Sequence, residues 1–400
     1  MEHTATTRIG LPVGEERTAL SVLVGRYDVP LFIACTALLS IGTVLVYSAT
    51  ARTALDPDYG FDSFYFLKRH ALNFCLGAVL FFAALRMPQR MFHAVARLLF
   101  PVSVLLLVAV MIPGVGVSGL GARRWISVFG YNIQPAEIAK VGFALYLAAY
   151  LERRRTVLKE LVSGIVPLLV MYVMVGLLLV AQPDVGSAVL LGMMVVAMLV
   201  VGGTRLSFLG VLFGGLMAAF AAILAIQPEK LARLVGWLLP EETRMGEGYQ
   251  VYNSQILVGS GGMFGSGPGQ GLNHALGYLP QSENDFIFSV AGEEFGFVGV
   301  IVLAALYTVI AVRGFQLVRK CRDDFSRFAA FFLTLLLTLP AFIHMAVGLG
   351  LMPTKGLVCP FLSYGGSAMA MTMLVLGLLQ RLHLDATAEP MPIVRTGGES

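Results

Sequence analysis

Four polar clusters interrupt an otherwise apolar chain, and each holds residue types that can bind or move charge. The first reads Ala122-Arg123-Arg124-Trp125 and resumes as Gln134-Pro135-Ala136-Glu137-Ile138-Ala139-Lys140. Paired arginines beside an indole suit a pyrophosphate at the level of lipid headgroups, and they equally suit an interfacial anchor. Glu137 and Lys140 are three residues apart, so on a helix they share a face and can pair. The second cluster is Gln182-Pro183-Asp184-Val185-Gly186-Ser187, where Asp184 is either a site carboxylate or the cap of the next helix. The third is Asn284-Asp285-Phe286-Ile287-Phe288-Ser289, with Glu293 and Glu294 about two turns further on. A carboxylate at Asp285, where a long polar loop meets lipid, is expected to be partly desolvated, which lifts its pKa toward that of a general base. Helix capping is the alternative there too. The fourth reads Met352-Pro353-Thr354-Lys355-Gly356-Leu357, then Pro360-Phe361-Leu362-Ser363-Tyr364-Gly365-Gly366-Ser367. Lys355 can counter a leaving phosphate, and the glycines let backbone come close to a ligand or turn tightly.

The elements that must position these clusters are membrane helices. Of the 400 residues 57% are apolar and 13% charged, about half the charged share of a soluble domain, and the mean hydropathy is +0.79. Apolar runs long enough to span a bilayer fall near 29–50, 70–87, 92–113, 134–151, 160–181, 186–203, 206–227, 285–313, 327–351 and 363–382. The runs are continuous rather than alternating, and an open sheet cannot cross lipid, so the expected fold class is an all-α integral membrane protein of ten transmembrane helices. Lysine and arginine concentrate in the loops around Arg86–Arg90, Arg153–Lys159 and Arg313–Arg327, which places both termini in the cytoplasm. The four clusters then lie on or near the outer side.

The expected organisation is a cytoplasmic tail over 1–27, one transmembrane domain over 28–384 with a long outer loop at 228–284 between helices 7 and 8, and a second tail over 385–400. Both tails are polar or small and read as disordered. Within the outer loop, Glu229 to Leu239 alternates charge with leucine and tryptophan and can lie in the membrane interface. The glycine-rich stretch 259–271 matches no nucleotide-binding spacing, so no nucleotide cofactor is implied. Four cysteines and six histidines are scattered without metal-ligand spacing, so no structural metal site is expected and nothing points to a nucleic-acid partner.

Taken in order and spacing, the clusters resemble the SEDS family, the shape, elongation, division and sporulation proteins that include FtsW, RodA and SpoVE. The resemblance covers about 28–384. It is carried by Ala122–Trp125 with Gln134–Lys140, by Gln182–Ser187, by Tyr278–Gly299, and by Pro353–Ser367, whose Thr354-Lys355 pair is similar to the FtsW and SpoVE branch. Gln281, Ser282 and Asn284 depart from the pattern that FtsW-like chains often carry; Asp285 does not. The resemblance implies a ten-helix SEDS-type fold and a glycosyltransferase that polymerises lipid II into a nascent glycan strand. It also implies a location at the division septum of the bacterial cytoplasmic membrane. A class B penicillin-binding protein, the septal transpeptidase, and other divisome proteins are the implied partners. Asp285 is the implied catalytic base. Arg123, Arg124, Trp125, Glu137, Lys140, Gln182, Asp184, Lys355 and Ser363 are the implied substrate-binding set. Stabilising the leaving pyrophosphate falls to Arg123, Arg124, Lys355 or a divalent cation such as Mg²⁺ or Mn²⁺, with Arg124 and Lys355 preferred. Two alternatives stand beside this one. A lipid II flippase needs functional charge through the full membrane depth, and a noncatalytic scaffold does not need Asp285.

Overall fold

The computed structural model describes residues 27–51, 53–55, 62–119, 122–128, 130–154, 160–226, 228–272, 279–354 and 356–388. The two expected tails and Lys355 therefore lie outside the described residues, save for residue 27 and residues 385–388. Helices occupy all ten segments expected to span: α1 (Val29–Thr50), α2 (Tyr65–Leu85), α3 (Gln89–Ala109), α4 (Pro135–Arg154), α5 (Val166–Ala181), α6 (Val185–Val201), α7 (Leu206–Ile226), α10 (Ile287–Lys320), α11 (Asp324–Gly348) and α12 (Gly366–Thr387). A π-helical turn, Leu161–Ile165, leads into α5. Seven of these helical segments are long and apolar enough to cross a membrane on that basis alone, among the described residues. The other three are α4, α6 and α7. α4 carries Glu137 and Lys140 in its first turns and Glu152, Arg153 and Arg154 in its last, and α6 has 17 residues.

Burial sorts the helices into a centre and a rim. α11 and α12 bury most of their length, as does α4, whereas α1, α2, α3, α5 and α10 turn most of theirs outward. Close approach depends on small residues, as expected between helices in lipid. A β-carbon at Gly377 of α12 would lie 2.6 Å from the Phe81 carbonyl of α2, and one at Gly42 of α1 would lie 2.2 Å from the carbonyl of Phe361. Gly42 thus lets α1 touch the turn before α12, which carries the fourth polar cluster. Short polar side chains set helix starts: Asp28 caps α1 through Leu31 N, and Asp323 caps α11 through Ser326 N.

Two features lie outside the spans, and the first departs from a purely helical expectation. A three-stranded antiparallel sheet follows α3, in order β1 (Gly116–Gly119), β2 (Ala122–Val128) and β3 (Tyr131–Ile133). Its pairs include Val117 with Trp125 and Ile126 with Ile133, residue types that favour strands, and Gly130 at φ 79° turns β2 into β3. The stretch is too short to register as a span and too close to one to be read apart from it. The second is the long outer loop, which contains α8 (Pro228–Leu238) and α9 (Tyr249–Ser260).

The glycine-rich segment after α9 has a structural role. α10 is broken at Gly296, whose φ of 66° and ψ of −165° are not helical. The amides of Ser266 and Gly267 donate to the carbonyls of Glu293 and Glu294, and Phe297 and Val298 donate to Gly262 and Met263. Backbone groups freed by the break are thereby satisfied by the glycine-rich segment, which a membrane protein requires. Glu293 and Glu294 accept from the Leu272 and Gly269 amides respectively, and Glu294 also from Ser48 Oγ.

Candidate active site

Asp285 ends a turn that leads into α10. Its amide and that of Asn284 both donate to the Gln281 carbonyl, at 3.0 and 3.1 Å, and Gln281 takes a left-handed φ of 56°. The loop before α12 grips this turn. Tyr364 N donates to the Glu283 carbonyl at 2.9 Å, and Ser363 Oγ donates to the Asn284 carbonyl at 2.8 Å while accepting from Cys359 N. Phe361 in the same loop sits at φ 67°, and its neighbour Pro360 accepts from the Tyr307 hydroxyl. Left-handed backbone at two non-glycine residues costs of order 1–3 kcal/mol each, and packing on both sides holds it here.

Asp285 is not a helix cap. Phe286 occupies the N-cap of α10 and no side chain accepts there, and among the described residues none donates to the Asp285 carboxylate. Burial, reinforced by the nearby charge of Glu283, pushes its pKa up to about 7 against the opposing pull of Arg124. Burial also raises that of Glu283. Asp184 resolves the other way: it caps α6, its Oδ1 accepting from Ser187 N at 3.1 Å.

A cleft of about 470 Å³ opens beside Asp285. Its walls are α2 (Arg69, Leu72, Asn73), the sheet (Arg124, Trp125, Tyr131, Asn132), the turn at Gln281–Asp285 and the loop from Gly356 to Ala368. Arg124 reaches it because of a bulge. The register passes from Val117 opposite Trp125 to Ser118 opposite Arg123, leaving Arg124 as the extra residue on β2. Such bulges re-aim a side chain. Arg124 Nε and Nη2 donate to the carbonyls of Gln182 and Pro183 at 3.0 and 2.6 Å, and Gln182 Nε2 in turn donates to Leu107 O at 2.8 Å. Gln182 and Asp184 thus build the loop on which Arg124 rests, and neither lines the cleft. Arg123 is exposed and does not line it either.

Glu137 and Lys140 pair at 2.7 Å, both buried. They line a cavity of about 30 Å³ behind the cleft, sharing Val358 and Ala368 with its wall. Ser363 acts on the Asp285 turn through hydrogen bonds rather than through the cleft. Among the described residues no group of three His, Cys, Asp or Glu forms a metal-ligand set.

Neither Arg69 nor Asn73 stands out in the sequence, Asn73 falling inside the apolar run 70–87. Their i, i+4 spacing at the mouth of α2 was the available signal, because it puts both on one helix face. Asn73 Oδ1 accepts from the Tyr131 hydroxyl at 2.7 Å, and Arg69 lies 4.8 Å from the Tyr65 ring centre. Burial raises the pKa of Tyr131 and pushes that of Tyr364 to about 12, so both phenols stay neutral donors.

The site thus sets a half-buried carboxylate, poised near neutrality, in one cleft with two guanidinium groups. Residues 29–388 match the family of FtsW, RodA and SpoVE, described as cell cycle proteins. The chain belongs to that family. It is 37% identical over 369 residues to a probable peptidoglycan glycosyltransferase FtsW of Trichlorobacter lovleyi, covering 92% of this chain and 95% of that one. It is 38% identical over 381 residues to the like-named protein of Thioalkalivibrio sulfidiphilus, covering 94% of each. Among solved structures it superposes on a chain from a peptidoglycan synthase complex that coordinates polymerization and crosslinking, with a TM-score of 0.75, 30% identity and coverage of 91% and 99%. The rod shape determining protein RodA of Thermus thermophilus follows with a TM-score of 0.66, 29% identity and coverage of 91% and 98%.

Proposed function

We propose that this chain is a peptidoglycan glycosyltransferase that polymerises lipid II into β-1,4 glycan strands on the outer face of the cytoplasmic membrane during cell division. The observation that carries the reading is Asp285: half-buried, uncapped, with a pKa pushed to about 7, on the wall of a cleft that also presents Arg69 and Arg124. In this reading the chain crosses the membrane ten times with both termini cytoplasmic and works at the septum. The ten helices and the basic loops between them support that topology.

The chemistry is a single inverting displacement. The acceptor hydroxyl oxygen attacks the anomeric carbon of the donor strand as Asp285 takes its proton, and undecaprenyl pyrophosphate departs with the bonding electrons. A base with a pKa near the working pH is well matched to that proton transfer. The leaving group is already a weak base, so cationic stabilisation replaces a general acid. Arg69 and Arg124 stand at the cleft to provide it, and Lys355, next to Gly356 in sequence, is the third candidate. A divalent cation, when bound, would add positive charge to the pyrophosphate. Among the described residues Asp285 is the one carboxylate that lines the cleft, and it serves as the base, so the residues present do not make a protein ligand set for such an ion. The pyrophosphate bond supplies the driving force.

The partner in this reading is a class B penicillin-binding protein that cross-links the strand, as the synthase complex combines polymerisation with crosslinking. The test is glycan synthesis from purified lipid II by detergent-solubilised protein with that transpeptidase, comparing wild type with Asp285→Ala and Asp285→Asn. Long strands from wild type and none from either folded, partner-bound variant support the reading. Variants that polymerise like wild type overturn it and leave lipid II transport or scaffolding to be assayed.

A further inference from the structure

Two cavities, not one, meet at Asp285. On the far side of the Gln281–Phe286 turn lies a second cavity of about 560 Å³, walled by α8, α9 and the segment between them. Gln281, Asp285 and Gly356 line both. The partition between the two spaces is therefore one carboxylate, one amide side chain and a glycine. A β-carbon at Gly356 would stand 3.7 Å from Asp285 Oδ2, so the missing side chain leaves room for a reactant against the carboxylate.

The two spaces differ in chemistry. The first presents the guanidinium groups of Arg69 and Arg124 together with apolar Leu72, which is more than half exposed on the outward face of α2. That combination suits an anionic headgroup carried on a lipid chain. In the second, Arg233 is paired with Glu247 at 3.8 Å, so the fixed charges along that wall offset each other. Among the described residues what remains is neutral: the Tyr249 phenol, the Gln250 and Gln281 amides and the Thr354 hydroxyl. An aromatic ring with amide and hydroxyl partners can bind an uncharged, hydroxyl-rich molecule, and Arg233 opposed by Glu247 adds little net positive charge to draw a phosphate. The location agrees. α8 exposes Leu231, Val235 and Leu238, an apolar face at i, i+4 and i+7, as a helix lying on the membrane surface does, so the cavity beside it opens at headgroup level.

A displacement between two bound substrates requires both at one base, with the leaving group on the side away from the attacking oxygen. The cationic cleft neutralises the leaving pyrophosphate, so the donor end belongs there. We infer that the α8–α9 cavity is the acceptor subsite, holding the uncharged non-reducing-end amino sugar of the incoming substrate with its hydroxyl toward Asp285. This deepens the glycosyltransferase reading and rests on it. In the step, the acceptor C4 oxygen bonds to the donor anomeric carbon and the bond from that carbon to phosphate oxygen breaks. Its electron pair leaves on the lipid pyrophosphate, and the hydroxyl proton passes to Asp285.

A subsite that recognises only the sugar has no need of the acceptor's lipid. A soluble, fluorescent GlcNAc-MurNAc disaccharide, with its C4 hydroxyl free, is therefore expected to accept the strand from its lipid carrier, giving lipid-free glycan labelled at the reducing end. The assay uses the full chain with its transpeptidase, lipid II as donor and a titration of the disaccharide. Gln250→Ala and Tyr249→Leu are expected to raise the half-saturating disaccharide concentration about tenfold while the plateau rate stays within about twofold. Tyr249 is 39% exposed, and its replacement gives a second variant should Gln250→Ala misfold. Wild type that builds strands but never incorporates the label, or variants that titrate like wild type, would overturn the subsite alone. Wild type that builds no strand from lipid II overturns the glycosyltransferase reading and the subsite with it.

Discussion

Ser363 donates its hydroxyl to the Asn284 carbonyl at 2.8 Å, tying the residue next to Asp285 to the loop that opens α12. The same oxygen accepts from the Cys359 amide at 3.0 Å, so one side chain sets both the loop and the turn. Ser363→Ala leaves a buried amide unpaired, at a cost of about 1–3 kcal/mol. The expected outcome is a lower melting temperature together with a polymerisation rate reduced about tenfold, because the Asp285 turn loses one of its two tethers. Unchanged kinetics in a destabilised variant would show that the remaining Tyr364–Glu283 bond suffices to hold the turn.

Two neighbours act on Asp285 with opposite sign, and this yields a paired test. Polymerisation is expected to rise with pH through about 7 as Asp285 ionises. Glu283→Gln removes a negative charge that raises the Asp285 pKa, so the acidic limb of kcat/KM should move to lower pH. Arg124→Gln removes a positive charge that lowers it, so the limb should move to higher pH. Limbs that stay in place in both variants would assign the titration to a different group.

The same shift has a consequence for stability. The Asp285 pKa is raised from 3.8 to about 7 on folding, so between those values the folded chain holds a proton that the unfolded chain has released. Stability from this group is therefore fully present below pH 3.8 and is lost progressively as pH rises from there through about 7. Asp285→Asn mimics the protonated acid at every pH. It should be inactive, melt with wild type near pH 3, and melt above wild type near pH 8. A variant less stable than wild type at pH 8 contradicts a desolvated carboxylate.

Much of this was legible in the sequence because it is local. Continuous apolar runs fixed where helices stand, and Asp285 was marked by its place where a polar loop enters lipid. What escaped was set by contacts between distant segments. Arg124 was recognised as a cation, but its bulge depends on pairing with β1, and its resting place depends on carbonyls 58 and 59 residues away. Ser363 meets Asn284 across 79 residues, so its role as a tether has no local signature. Asp184 and Asp285 look alike in sequence, each at the mouth of a helix. Only the backbone distinguishes them, one accepting from an amide and the other standing clear of its helix. Arg69 was hidden by its company, since an arginine beside Lys68 at a helix mouth reads first as a topology signal.

Gly356 offers a test that does not touch the charge of the site. A β-carbon there lies 3.7 and 3.8 Å from the Asp285 oxygens, an ordinary contact that requires no backbone shift. Gly356→Ala should fold, bind its partner and melt like wild type. Its methyl group nevertheless occupies space beside the carboxylate that both cavities share, and polymerisation should fall at least about tenfold. Wild-type activity in this variant would mean that the reactants approach Asp285 from another direction.

The Glu137–Lys140 pair poses the opposite problem, since both its charges are buried and neither lines the cleft. Removing one partner strands the other in a low-dielectric interior, and breaking such a pair costs about 3–5 kcal/mol, whereas replacing both with apolar groups of similar size is often neutral or better. Lys140→Met alone should therefore lower the melting temperature and the yield of folded protein sharply, and Glu137→Leu combined with Lys140→Met should restore most of both. Activity then separates two roles. If the pair serves only to pack α4 against the loop at Val358 and Pro360, the restored double variant should polymerise at close to the wild-type rate. A double variant that is stable, partner-bound and inactive would instead place the pair's charge in the reaction, acting through the wall it shares with the cleft at Val358 and Ala368. The geometry favours the first outcome, because the 2.7 Å contact already uses the charge of each residue on the other.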